Sequence, residues 1–79
     1  MKTTLDKLSP GETGIIDQFT DLELSLKLLE MGCTPGEEVM VIRKAPLGDP
    51  IAIQVSDYLL SMRKSEASTV IILSGKSGN

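Results

Sequence analysis

Apolar and polar residues alternate through the second half of this chain and again near its start. The stretch Thr13 to Phe19 mixes β-branched and aromatic residues in a short run that predicts a strand. "EEVMVIRK" (Glu37 to Lys44) places Val39, Val41 and Arg43 on one face and Met40, Ile42 and Lys44 on the other. Apolar residues on both faces predict a strand covered from two sides, as in a small closed barrel. "PIAIQVS" sets Ile51, Ile53 and Val55 on one face, "YLLSMR" continues as the next strand, and "STVIIL" forms the last. Ser56-Asp57 between two of these strands predicts a two-residue hairpin, with Asp57 tolerating positive φ. "KSEA" (Lys64 to Ala67) reads as a short helical turn.

The stretch Thr20 to Gly36 is ambiguous by periodicity alone. Leu22, Leu24, Leu26 and Leu28 alternate as in a strand, whereas Leu22, Leu26 and Leu29 form a helical stripe, as do Leu24, Leu28 and Met31. Thr20-x-x-Glu23 has the form of a capping box, and Gly32 stands where a left-handed residue closes a helix, with Pro35 soon after. Leucine, glutamate and lysine also favour helix. These signals predict a helix from about Asp21 to Met31. Six large apolar residues exceed what one face of a three-turn helix buries, so one stripe is expected in the core and the other at the surface, available for docking or self-association through helix 21–31.

Turn chemistry punctuates these elements. Leu5 and Leu8, three apart, suit one helical turn facing the core. Pro10-Gly11 then reads as a type II turn, proline fixing the first central φ and glycine accepting a positive second one. The phrase recurs: Ser9-Pro10-Gly11-Glu12 and Thr34-Pro35-Gly36-Glu37 each lead into a strand. In "RKAPLGDPIAIQV" (Arg43 to Val55), Pro46 and Pro50 frame a rigid loop with Leu47 at its tip, and Asp49 reads as a framing residue bonding nearby backbone amides. The expected fold is mainly β: a small barrel of about five strands, with one α-helix after the first strand lying across an open end.

Composition narrows the function. Seventy-nine residues make one domain, here 1–74, with 75–79 as a flexible Ser/Gly/Lys/Asn tail. Gly75-Lys76-Ser77 follows an apolar strand, but a phosphate-binding loop needs an earlier glycine where Val70 stands and a helix afterwards. Eleven acidic and eight basic residues give a net charge of −3, and only Phe19 and Tyr58 are aromatic, which argues against a nucleic-acid groove. Arg43, Lys44, Arg63 and Lys64 read instead as a solvated face or a rim that meets an acidic protein. No histidine is present, and no acid–base pair or nucleophile constellation stands out, so an enzyme is not expected. The lone Cys33 lacks companion ligands and reads as a small apolar residue beside a helix cap, with no metal or other cofactor implied. No apolar run exceeds that of Val70 to Leu73, which is too short to insert in a bilayer, and nothing at the start resembles a signal peptide, which points to a soluble protein.

The ordered set "L–PG–G" (Leu8, Pro10, Gly11, Gly14), "LLEMGCTPGEEV" (Leu28 to Val39), "RKAPLGDPIAIQV" and "YLLSMRKSEA" (Tyr58 to Ala67) resembles the FeoA (ferrous iron transport protein A) family across Leu5 to Leu73. The resemblance implies an SH3-like barrel with an inserted helix. It also implies a bacterial, cytoplasmic accessory role in ferrous iron uptake, reaching the inner membrane through a partner. That partner would be FeoB, a membrane transporter with a cytosolic GTP-binding domain. The association with transition metals comes from the resemblance and not from any ligand set in this chain. Similar domains occur at the C-terminus of metal-dependent transcriptional repressors, which makes a regulatory domain of that kind the alternative. No catalytic residues carry over. What carries over is a set of turn and loop positions: Gly32, Pro35 and Gly36 after the helix, and Ala45 to Pro50. Cys33 stands where the family more usually has an aliphatic residue. The expected docking surface is Leu47, Gly48, Asp49 and Pro50, with the adjacent helix end at Met31, Cys33 and Pro35.

Overall fold

The protein is described by a computed structural model, which covers residues 2–74. The chain forms β1 (Lys2–Thr4), a 3-10 turn (Leu5–Lys7), β2 (Thr13–Phe19), α1 (Leu22–Glu30), β3 (Glu38–Lys44), β4 (Ile51–Val55), β5 (Tyr58–Met62), α2 (Lys64–Ala67) and β6 (Val70–Ser74). The six strands make one antiparallel sheet in the order β1-β6-β2-β3-β4-β5. The 3-10 turn packs against α2 and β6, drawing together parts of the chain that follow the two edge strands, β1 and β5. The tail expected at 75–79 lies outside the described residues.

The core is the inner face of this sheet. Ile16, Val39, Val41, Ile51, Ile53, Val55, Met62, Val70 and Ile72 are buried, joined by Leu5 and Leu8 from the first turn and by Leu28 and Cys33 from the helix region. The paired leucines near the start therefore serve the core as their spacing suggested. Gly14 has a steric reason: a Cβ there would lie 2.1 Å from Ile72 Cγ2, because β2 and β6 approach closely on that face. The two Pro-Gly turns are also realised as one device used twice. Gly11 and Gly36 have φ of 92° and 96°, and Glu12 and Glu37 donate to the carbonyls of Ser9 and Thr34 at 2.9 and 3.0 Å. Each glycine then extends the β2–β3 ladder, Gly11 N–H donating to Val41 O (2.7 Å) and Gly36 N–H to Ile16 O (2.8 Å).

Four details depart from the sequence reading. A sixth strand, β1, precedes the expected first one. Lys-Thr-Thr carries no periodic signal, and its strand character comes from pairing with β6. The cap of α1 is Asp21, whose Oδ1 accepts from Leu24 N–H at 3.0 Å; Thr20 instead reaches Thr69 O, so the Thr20–Glu23 box does not form. At the β4–β5 hairpin the positive φ (54°) belongs to Ser56 and not Asp57, the pattern of a type II′ turn.

The fourth concerns β3. A bulge between Val41 and Arg43 inserts Ile42 as an unpaired residue. Beyond it the faces exchange: Arg43 pairs with Ala52 on the outer side, while Lys44 pairs with the buried Ile51 on the inner side. Lys44 Nζ ends on Asp6 O at 2.9 Å, satisfying a carbonyl of the first turn. Met40 and Ile42 are not covered by a second layer, so β3 has one buried face.

Candidate docking surface

The loop between β3 and β4 is held at its base and along its flank. Ala45 N–H donates to Pro50 O (3.0 Å), closing the loop across the strand ends. Within it, Gly48 N–H donates to Ala45 O (2.7 Å), a four-residue turn with Pro46 first in the middle and Gly48 last at φ 86°. Leu47 occupies the remaining central position, where its side chain has nothing beneath it, and is 94% exposed. Asp49 precedes Pro50 through a cis peptide bond. Its Oδ1 accepts from Lys64 N–H at 2.9 Å, the first free amide of α2. Asp49 is thus a framing residue, but its partner lies fifteen positions away in sequence.

The helix end is built by a different device. Gly32, at φ 99°, donates to Leu29 O (3.0 Å), and Cys33 N–H donates to Leu28 O (2.9 Å), which together form a Schellman closure. The motif's usual apolar contact is supplied by Leu28 and Cys33, both in the core. Cys33 is 1% exposed, and burial pushes its thiol pKa up, so it stays neutral and inert. It cannot contact a partner and leaves the expected docking set. Met31 packs partly against the core, and Pro35 is exposed at the following turn.

The two halves of the expected surface do not meet. Pro35 precedes β3 and Leu47 follows it, so the strand separates them by roughly 20 Å at about 3.3 Å per residue. The helix end therefore keeps different company. Leu22 (84%), Leu26 (64%) and Leu29 form an exposed leucine stripe along α1, while Leu28 is buried and Leu24 is half-buried. The helix thus divides along the two stripes that its spacing defined. Tyr58, from the hairpin beside β4, lies against Gly32, its ring 3.8 Å from where a Cβ would stand. Tyr58 and Leu59 are exposed apolar positions that sequence reasoning passed over, because β5 reads as an ordinary strand until its place at the sheet edge is known.

Elsewhere, α2 fastens α1 to the barrel. Glu66 accepts from Lys27 Nζ (2.7 Å) and from Arg63 N–H (2.9 Å), and these bonds hold its carboxyl below the usual range. Among the described residues no cluster of three or more His, Cys, Asp or Glu is placed to hold a metal ion, and no helix is long and apolar enough to cross a membrane.

Comparison with known proteins places this geometry in context. The FeoA domain family model matches residues 3–73. An Fe(2+) transport protein A/Fe(2+) transporter FeoB fusion protein of Porphyromonas gingivalis is 31% identical over 67 residues; the match covers 84% of this chain but 8% of the fusion protein. Among solved structures, a FeoA-like protein of Clostridium acetobutylicum superposes with a TM-score of 0.90 at 28% identity, over 99% of this chain and 92% of that one. FeoA of Stenotrophomonas maltophilia, solved with zinc and described as a prokaryotic SH3 domain protein, gives 0.78 at 31% identity, over 89% and 88%. A manganese-dependent transcriptional repressor shares the fold alone, with a TM-score of 0.82 at 13% identity over 92% of this chain and 41% of that one.

Proposed function

The chain belongs to the FeoA domain family, and from that premise we propose that it is a non-enzymatic accessory of ferrous iron uptake. It docks on the cytosolic GTP-binding domain of a FeoB-type transporter and assists its assembly or regulation. The fusion of the two proteins in a relative supports the partnership, since a covalent link keeps them at high effective concentration. Such a role places the chain in the cytoplasm, at the inner membrane through its partner.

The observation that carries the docking assignment is Leu47. A fully presented leucine on a loop tied at Ala45–Pro50 and Asp49–Lys64 loses little freedom on binding, which lowers the entropic cost of contact. Gly48, Asp49 and Pro50 frame that contact. The exposed stripe of α1, with Met31 and Pro35 at its end, is a separate surface at the other end of β3. Co-purification of the transporter with wild-type and Leu47→Glu chains tests the reading. Association is expected to fall at least about tenfold, since a buried carboxylate replaces an apolar anchor. Unchanged association would remove the loop from the interface.

A further inference from the structure

The outer face of the sheet carries a charge pattern that neither the fold nor the loop requires. Strand β3 begins at Glu38 and ends at Arg43-Lys44, with the bulge turning Arg43 outward and Lys44 inward. At the acidic end, Thr13, Glu37, Glu38, Met40, Gln54 and Ser56 line a depression, where Glu37 accepts from Ser56 Oγ at 2.7 Å. At the basic end a second depression lies between Arg43, Ala45, Pro50, Ala52 and Ser61. Lys2, Lys27 and Lys44 are each tied to an acid or carbonyl, whereas Arg43, like Lys7 and Lys64, has no ion-pair or side-chain hydrogen-bond partner among the described residues.

An uncharged row crosses the strands along the wall of the acidic depression, on the side toward Arg43. The register places Thr13 opposite Met40, Met40 opposite Gln54, and Gln54 opposite Leu59. Counted along β4, Arg43 stands beside Ala52 and Met40 beside Gln54, while Glu38 falls one step beyond the Val39–Val55 pair. The Met40 row is therefore midway between the glutamate and the arginine. A two-fold axis lying along that row would bring two such faces together with their β3 strands antiparallel. Each row residue then meets its own copy. Met40 and Leu59 tolerate this as apolar groups, Leu59 being 73% exposed, and the Gln54 amide can both donate and accept. The same operation sets Glu38 of each copy over Arg43 of the other, twice.

We propose that this outer face is an isologous self-association surface whose occupant is a second copy of the chain. Charge complementarity under one symmetry operation, with self-compatible residues on the axis, favours that occupant. A standard interface needs about 800 Å² per partner, roughly one-sixth of the 4808 Å² of accessible surface here. The pairs are exposed and therefore screened, so the association weakens with salt. The surface adjoins the base of the Leu47 loop at Ala45 and Pro50 but does not use its tip, and it is separate from the α1 stripe; it stands whether or not the transporter assignment does.

Sedimentation velocity of the full chain over a concentration series, at low and high salt, tests it. A dimer is expected at low salt. Arg43→Glu and Glu38→Arg should each weaken it about tenfold by placing like charges together, and the doubly substituted chain should restore it. Leu59→Glu, which sets a carboxylate against its own copy, should also dissociate it. All three positions are exposed, so circular dichroism should show an unchanged fold. A chain that stays monomeric throughout, a double variant that fails to recover, or a dimer dissolved by Leu22→Glu but not by Arg43→Glu would overturn the proposal.

Discussion

Strand β4 and helix α1 both carry a dense set of apolar residues, and they spend that character differently. In β4, Ile51, Ile53 and Val55 are all buried, because the strand lies between β3 and β5 and its inner face has no other exit. Helix α1 has five leucines, yet only Leu28 is fully buried, Leu24 is half-buried, and the other three face out. A strand inside a bent sheet is covered by its neighbours, whereas α1 packs on the core by one side and leaves the other open. The comparison separates apolar residues that hold the fold from those left over for something else.

The largest effect should come from β4 and the helix anchor. Ile53→Ala or Leu28→Ala should each cost about 2–5 kcal/mol, as cavities in a tightly packed small core do. Chemical denaturation would show it as a lower midpoint with an unchanged slope. A cost below about 1 kcal/mol for Leu28 would mean that α1 is not anchored as described and would erase the contrast. A smaller effect belongs to the bond that fastens α1 to α2. Glu66→Gln should cost roughly 1 kcal/mol, since Lys27 is largely exposed and the pair is screened on that side. The pH dependence has a definite sign. Glu66 titrates lower in the folded than in the unfolded chain, so its contribution is present above the ordinary glutamate range and is lost as pH falls through the depressed folded value. The Gln variant should lose that part of the acid sensitivity in pH-dependent thermal melts.

The smallest effect should come from the exposed stripe. Leu22→Glu and Leu26→Glu are expected to change stability by no more than about 0.5 kcal/mol. If either matched Leu28→Ala in a melt, the stripe would be structural and not surplus.

Much of this arrangement was legible in the sequence, for local reasons. Period-two alternation located β4, β-branched and apolar runs located β2 and β6, Pro-Gly phrases located the turns, and Gly32 marked the helix end by the positive φ that it alone takes cheaply there. The exposure of Leu47 also follows locally, from a proline-framed loop too short to fold back. What was not legible depends on partners distant in the chain. The bulge that exchanges Arg43 and Lys44 shows only in the β3–β4 register, and β1 exists only because β6 lies beside it. Asp49 finding Lys64, Lys27 finding Glu66 and Lys44 finding Asp6 are long-range meetings that no window of residues announces.

The sequence by itself determined which residues turn, which extend and which are apolar, because those preferences act within a few residues. Tertiary structure decided which apolar residues are covered and which charges share a face. Pairing order and register set those, and they arise only when distant strands come into contact.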